Sequence, residues 1–144
     1  MIEVTIQRLG LKIEALPDGL RRKLRRLVSD KLADYAYKTM KEKAPKRTGK
    51  LRKSIRKVRR GFEAYVFPTV PYAIYVEYGT RPHLIRPVRA QALRFETRTG
   101  KIVFTRLVRH PGTKPRPFIR ETAEEVRRRL PVFWREVWSE PLEA

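Results

Sequence analysis

The sequence predicts an α+β fold, and three patterns support that class. Between Asp18 and Pro45, apolar residues recur every three or four positions, as in an amphipathic helix of about 25 residues. Short alternating runs separated by turn residues predict strands, several of them in hairpins. Helical spacing returns after Pro117 and predicts a C-terminal helix. Helices and strands in separate segments are typical of α+β proteins, and the length of 144 residues suggests a single domain over residues 1–144.

The chain opens with an alternating segment. Ile2, Val4 and Ile6 alternate with polar residues, which predicts a short strand with one buried face. A connector is expected around Gly10.

The long helix is the clearest prediction. Pro17 suits the first helical turn, Asp18 suits its positive end, and the helix should end before Pro45. Its opposite face is almost wholly basic. The apolar stripe consists of Leu20, Leu24, Leu27, Val28, Leu32, Tyr35, Ala36 and Met40.

The middle of the chain predicts a loop, a hairpin and an ambiguous cluster. Residues 44–53 are expected to form a basic loop that its proline and glycine keep non-helical. Two strands should follow, turning at Arg60-Gly61, and Pro68 and Pro71 should break the second. The aromatic-apolar cluster at 72–78 fits either one helical turn or a short strand.

The last third predicts loops, a second hairpin and the C-terminal helix. Residues 81–92 show no regular pattern, a hairpin should turn at Thr99-Gly100, and residues 110–117 are expected to form an extended loop. Pro131 should kink or restart the final helix. That helix is expected to place Ile119, Ala123, Val126 and Leu130 on one side and, further on, Trp134 and Trp138 in the core or at a subunit contact.

The positive charge is concentrated in one part of the chain. The sequence has 35 basic and 15 acidic residues, a net charge of +20. Residues 21–60 contain 18 of the basic residues and only three acidic ones. This density favours contact with DNA or an acidic partner, although a solvated helix face would look the same. The candidate contact residues are Arg21, Arg22, Arg25, Arg26, Lys46, Arg47, Lys50 and Arg52.

Several classes of function lack their sequence signals. Absence of cysteine excludes disulfides, thiolate zinc sites and cysteine nucleophiles. The two histidines lack metal-site spacing, the serines lack a nucleophile-elbow context, and no glycine-rich phosphate loop occurs. No apolar run could span a membrane, and the N-terminus does not follow the pattern of a signal peptide. We therefore expect no enzyme, cofactor or metal and no membrane contact. The expected setting is intracellular, or a particle assembled inside a cell.

Three segments in order carry a family resemblance. They are Lys43–Ile55 (KAPKRTGKLRKSI), Pro71–Thr80 (PYAIYVEYGT) and His110–Ile119 (HPGTKPRPFI). Together with the preceding amphipathic helix, they resemble the tail-completion or head–tail joining proteins of tailed bacteriophages, often called minor tail components. The resemblance covers roughly residues 20–127 and leaves out the two tryptophans.

The resemblance implies a virion structural protein with a long helix packed on an antiparallel sheet. Such proteins form rings, usually of six subunits, at the neck between head connector and tail tube. The implied partners are further copies of the chain, adjacent connector and tail proteins, and genomic DNA that passes through without being read. The implied location is the virion neck or tail, assembled in the host cytoplasm. A free basic nucleic-acid-binding protein is the alternative; a nuclease lacks a metal-carboxylate cluster.

Two of the segments supply candidate subunit contacts. These are Tyr72, Tyr75, Glu77 and Tyr78 in the second segment, and Pro115, Arg116 and Phe118 in the third. The alternative for the aromatic cluster is core packing, with Glu77 hydrogen-bonded inside it. The proline-rich loops at 81–90 and 110–117 fit rigid surface arms, since proline lowers the entropy cost of ordering a loop on assembly. The alternative is that the prolines only stiffen ordinary loops.

Overall fold

A computed structural model describes the backbone of residues 2–5 and, with side chains, residues 13–141. Ile6 and the connector expected around Gly10 lie outside the described residues. The chain forms two compact units. We call Met1–Ala73 with Pro117–Ala144 the helix–sheet unit, and Ile74–Arg116 the hairpin unit. The single domain over residues 1–144 stays a prediction.

The helix–sheet unit contains a three-stranded antiparallel sheet. Its strands are β1 (Ile2–Thr5), β2 (Ile55–Arg60) and β3 (Glu63–Pro68), in the order β1-β3-β2. Arg60 lies opposite Glu63, so the β2–β3 turn is the two residues Gly61 and Phe62. Gly61 adopts a φ of 58°, which glycine tolerates without a steric cost. The first strand and the first hairpin are thus confirmed as elements, with the turn one residue later than the predicted Arg60-Gly61.

The long helix is also confirmed, with a wider turn in its middle. It comprises α1 (Asp18–Arg26), a π-helical segment (Leu27–Leu32) and α2 (Ala33–Lys43), and it follows a 3₁₀ turn at Ile13–Ala15. In the π-helical segment hydrogen bonds run across five residues, as from the Ala33 N–H to the Val28 carbonyl. In a regular α-helix, side chains four residues apart drift by about 40° at each step. The wider turn reduces that drift, which keeps one continuous buried stripe: Leu24, Leu27, Val28, Leu32, Ala33, Ala36 and Met40.

The basic loop expected over 44–53 is wrong in its second half. Lys50–Ser54 forms a short helix, α3. Gly49 adopts a left-handed conformation, which turns the chain so that a new helix can begin directly after it. The Lys53 N–H donates to the Gly49 carbonyl at 2.9 Å, and the buried Leu51 anchors the turn.

The C-terminal helix differs from the prediction in two respects. α5 (Phe118–Ser139) continues through Pro131, so the proline does not restart it. Its buried side is formed by Phe118, Thr122, Val126 and Val137, whereas Ala123 and Leu130 are exposed. The expected face was right for Val126 and wrong for Ala123 and Leu130, because an apolar pattern does not predict that the polar residue Thr122 is buried. Its hydroxyl is satisfied there by donating to the Phe118 carbonyl at 2.6 Å.

The long helix packs on the sheet on one side and on α5 on the other. α2 contacts β2 and β3, while α5 contacts α1, the π-helical segment and α2. One core cluster consists of Ile13, Leu24, Val28, Ala33 and Ala64, with Leu16, Phe62 and Trp138 against it. Core packing is therefore confirmed for Trp138, whereas Trp134 is 45% exposed.

The hairpin unit contains two pairs of short strands. β5 (Leu93–Glu96) pairs with β6 (Ile102–Thr105), which confirms the second hairpin. β4 (His83–Ile85) pairs with β7 (Val108–His110). The expectation of irregular chain over 81–92 was wrong for β4, and the extended loop begins only after His110. The strands of this second pair are far apart in sequence, so no local pattern reveals them.

The aromatic cluster forms a helical turn. α4 (Ala73–Tyr78) is helical, and this resolves the helix-or-strand ambiguity of residues 72–78.

Candidate functional site

The four arginines of α1 lie on two successive turns. At about 100° per residue, Arg22 and Arg26 lie opposite the buried Leu24, whereas Arg25 and Arg21 lie progressively nearer to it. Arg21 donates from Nε to the Leu16 carbonyl at 2.9 Å and pairs with Asp18 at 3.1 Å. Arg26 pairs with Glu140. Arg22 and Arg25 are exposed. The contacts of Arg21 and Arg26 therefore hold two guanidinium groups of α1 in place.

A groove of about 390 Å³ opens between this helix face and the β2–β3 turn. We call it the arginine groove. The Ser29 hydroxyl donates to the Gly61 carbonyl at 3.3 Å, which ties the π-helical segment to the hairpin. The groove is lined by Arg22, Arg25, Arg26, Ser29, Asp30, Arg59 and Gly61.

Arg59 reaches the groove from the sheet and is held by two carboxylates of the long helix. It pairs with Asp34 at 2.9 Å and with Asp30 at 3.6 Å. Lys57 also donates to Asp34. Partial burial tends to raise the pKa of Asp34, but the hydrogen bonds and attraction from Lys57 and Arg59 outweigh it and hold the pKa below its usual value. Asp34 thus stays ionised and keeps Arg59 in place.

The sequence pointed to the helical side of this groove and missed the other side. Arg22, Arg25 and Arg26 were candidates, whereas Ser29 and Arg59 were not. The basic run of β2 and the turn at Gly61 were visible as local signals. Their position against α1 depends on the packing of helix on sheet, which local spacing does not reveal.

The basic residues after the long helix form a separate cluster. Lys46, Arg47 and Lys50 are exposed, and Arg52 is half-buried. They follow the last residue of α2, Lys43. Arg26, the last arginine of α1, lies 17 residues before Lys43, a separation of about 25 Å along the helix axis. The eight basic candidates therefore belong to two distinct clusters.

The hairpin unit brings the second and third family segments together. Thr80 and Thr113 exchange backbone hydrogen bonds, each of 3.1 Å, and the Arg116 N–H donates to the Val76 carbonyl at 2.8 Å. The adjacent glycines allow this approach. A Cβ atom on Gly79 would lie 2.4 Å from the Thr113 carbonyl oxygen, and one on Gly112 would lie 2.2 Å from that of Thr80.

The candidate subunit contacts divide into exposed and buried residues. Pro115 and Arg116 are exposed. Tyr72, Tyr75 and Tyr78 are 40%, 60% and 74% exposed, so core packing is wrong for these aromatic side chains. Glu77 and Phe118 are only 5% and 2% exposed, so they offer almost no surface to another subunit.

Among the side chains of residues 13–141, no group of three or more histidine, cysteine, aspartate or glutamate residues could hold a metal ion. The rings of His83 and His110 stack with centroids 4.9 Å apart on the paired strands β4 and β7. No helix in the described part of the chain has the length and apolar character needed to cross a membrane.

Comparison with models of known protein families gives a match. The model of the HK97-gp10-like family, described as "Bacteriophage HK97-gp10, putative tail-component", matches residues 7–79. This range includes the long helix, α3, the β2–β3 hairpin, the first segment and all of the second except its last residue, Thr80, while the third segment lies outside it. Comparisons with curated proteins and with solved structures gave no match. Since the match covers more than half of the 144 residues, the chain belongs to the HK97-gp10-like family of bacteriophage tail components.

Proposed function

We propose that the chain is a head–tail connector or tail-completion protein of a tailed phage. In this role several copies, six as the family resemblance implies, form a ring at the neck that joins the head connector to the tail tube. Genomic DNA passes through the ring without sequence readout. The chain acts by binding neighbouring proteins and carries out no catalysis, in keeping with a family of structural tail components.

The observation that carries the proposal is the exposed apolar surface of the hairpin unit. Glu77 is the only buried residue among residues 74–116, all of which the structure describes. Large exposed apolar surfaces mark contacts with other proteins, because an isolated soluble chain gains nothing by keeping them in water. The large apolar side chains exposed in this unit are Ile74, Tyr75, Tyr78, Leu84, Ile85, Val88, Phe95, Ile102, Phe104 and Leu107.

Backbone pairing inside the hairpin unit supports the same role. The Thr80–Thr113 bridge and the strand pairs hold the unit together by hydrogen bonds in place of a core. Such a unit can present apolar side chains outward and gain its burial at an interface. Ring formation would supply that burial, since copies related by rotation repeat the same contact around a closed ring.

The net charge of +20 also fits a second function, that of a free basic DNA-binding protein. The two are separated by measuring particle mass by light scattering and imaging the particles by electron microscopy, with and without duplex DNA. We expect closed rings of uniform size. A chain that stays monomeric in every condition while binding duplex DNA tightly at physiological salt would contradict the ring.

A further inference from the structure

We propose that the arginine groove is a binding site for the phosphodiester backbone of duplex DNA. The inference deepens the proposed function, from which it takes the presence of DNA, but binding at the groove is a property of the single chain. Of the two basic clusters, the inference concerns the one on α1, and it names the phosphodiester backbone as the ligand of that cluster.

The shape of the groove suits a linear polyanion. Arg22 and Ser29 are seven residues apart on the long helix, which corresponds to about 10 Å along its axis. Phosphates of one DNA strand follow each other at about 3.4 Å along the duplex axis. The groove is therefore long enough to face at least two neighbouring phosphates.

The charges of the groove converge from two sides and are partly pre-organised. Four guanidinium groups and one carboxylate line it, so the lining itself carries a net positive charge, which the nearby carboxylates of Asp34 and Glu140 partly offset. Arg59 is held by Asp30 and Asp34, and Arg26 by Glu140. Guanidinium groups fixed in this way lose less side-chain entropy when they bind an oxyanion.

The chemistry of the lining favours duplex backbone over other anions. Its side chains are arginine, serine and aspartate, with glycine as the remaining residue, and no aromatic or aliphatic residue takes part. Binding of single strands relies on aromatic residues that stack with bases, and binding of an acidic protein segment gains from an apolar centre. Duplex backbone requires only cations and small polar groups.

The test compares two variants that remove equal charge. Arg22→Gln/Arg25→Gln changes exposed residues of the groove, whereas Arg127→Gln/Arg128→Gln changes exposed residues of α5 that do not line it. Binding is measured by fluorescence anisotropy with a short labelled duplex over a range of salt concentrations. We expect the groove variant to lose at least about tenfold in affinity and to reduce the logarithmic salt slope by about two, because two phosphate contacts are lost. The control should change the slope by less than one.

The inference would be overturned by equal losses in the two variants, by displacement with poly-glutamate or by displacement with single-stranded DNA. Equal losses in both variants would mean that binding follows total charge. Displacement of the duplex by poly-glutamate or by single-stranded DNA at equal charge concentration would assign the groove to another ligand.

Circular dichroism checks that both variants fold, and Arg25→Glu alone, at an exposed position, should reproduce the loss of affinity. Particle mass of the groove variant is measured separately, so that failure of ring assembly and failure of DNA binding remain distinguishable.

Discussion

Gly79 and Gly112 let two backbone segments of the hairpin unit approach more closely than any side chain would allow. Both have positive φ angles, and a Cβ at either position would meet a backbone carbonyl oxygen at less than 2.5 Å. Carbonyl groups of a paired bridge cannot move aside as the end of a flexible side chain could. The need for glycine here thus has two parts, a left-handed backbone and a close contact.

Substitution of Gly112 separates these two parts. Gly112→Ala should destabilise the hairpin unit by at least about 3 kcal/mol, since left-handed strain adds to displacement of the Thr80 carbonyl. We expect the amides of Thr80 and Thr113 to exchange hydrogen roughly a hundredfold faster. The measurement is native-state hydrogen exchange.

Gly100→Ala is the matched control for this substitution. Gly100 lies in the same unit at a φ of 80°, against 84° for Gly112, and its only neighbour would be a flexible carboxylate oxygen of Glu96 at 3.8 Å. It should cost only the conformational strain, about 1–2 kcal/mol. Equal effects of the two substitutions would show that the close approach at Gly112 contributes nothing.

At the scale of elements, the sequence predicted what depends on local spacing. The long helix, the two hairpins and the C-terminal helix follow from apolar periodicity and turn residues. The π-helical segment at 27–32, the short helix α3 and the strand β4 were missed. The π-helical segment keeps the buried apolar residues of the long helix on one side, and α3 depends on the left-handed conformation of Gly49. The strand β4 depends on pairing with β7, which lies more than 20 residues away in the sequence.

Pro131 lies inside the helix α5, although proline usually interrupts a helix. Proline has no N–H, so it cannot donate to the Arg127 carbonyl, and its ring crowds the preceding turn, yet α5 continues through it. Burial of Val126 and Val137 on either side outweighs that cost. Of the two outcomes expected from the sequence, a kink or a restart, the restart therefore does not occur.

Replacement of Pro131 should consequently stabilise the chain. Pro131→Ala restores a hydrogen bond at an exposed position, and we expect the free energy of unfolding to rise by about 1–3 kcal/mol. Urea denaturation measures this change. Arg127→Ala, at another exposed position of α5, should alter stability by no more than about 0.5 kcal/mol. An unchanged midpoint for Pro131→Ala would mean that the helix already accommodates the proline without cost.

At the scale of the whole molecule, the site could be predicted only in part. Arg22, Arg25 and Arg26 were visible as a basic helix face, but Arg59 joins them through helix–sheet packing. The aromatic cluster could be read as core or as interface, because composition does not say which side chains a fold leaves in water. Exposure of Tyr75 and Tyr78 decides against the core. The remaining question is whether another copy of the chain covers this surface.

Phe104 provides the most direct test of that question. It lies in β6 and is 67% exposed, so Phe104→Ser should leave the folded chain intact while removing apolar area from a subunit contact. Leu130→Ser is the control, since Leu130 is also exposed, at 38%, but belongs to α5 in the helix–sheet unit. If the hairpin unit forms the interface, analytical ultracentrifugation should show at least about tenfold weaker assembly for Phe104→Ser and little change for Leu130→Ser. The opposite order would place the interface on the helix–sheet unit, and unchanged assembly in both variants would remove Phe104 from it.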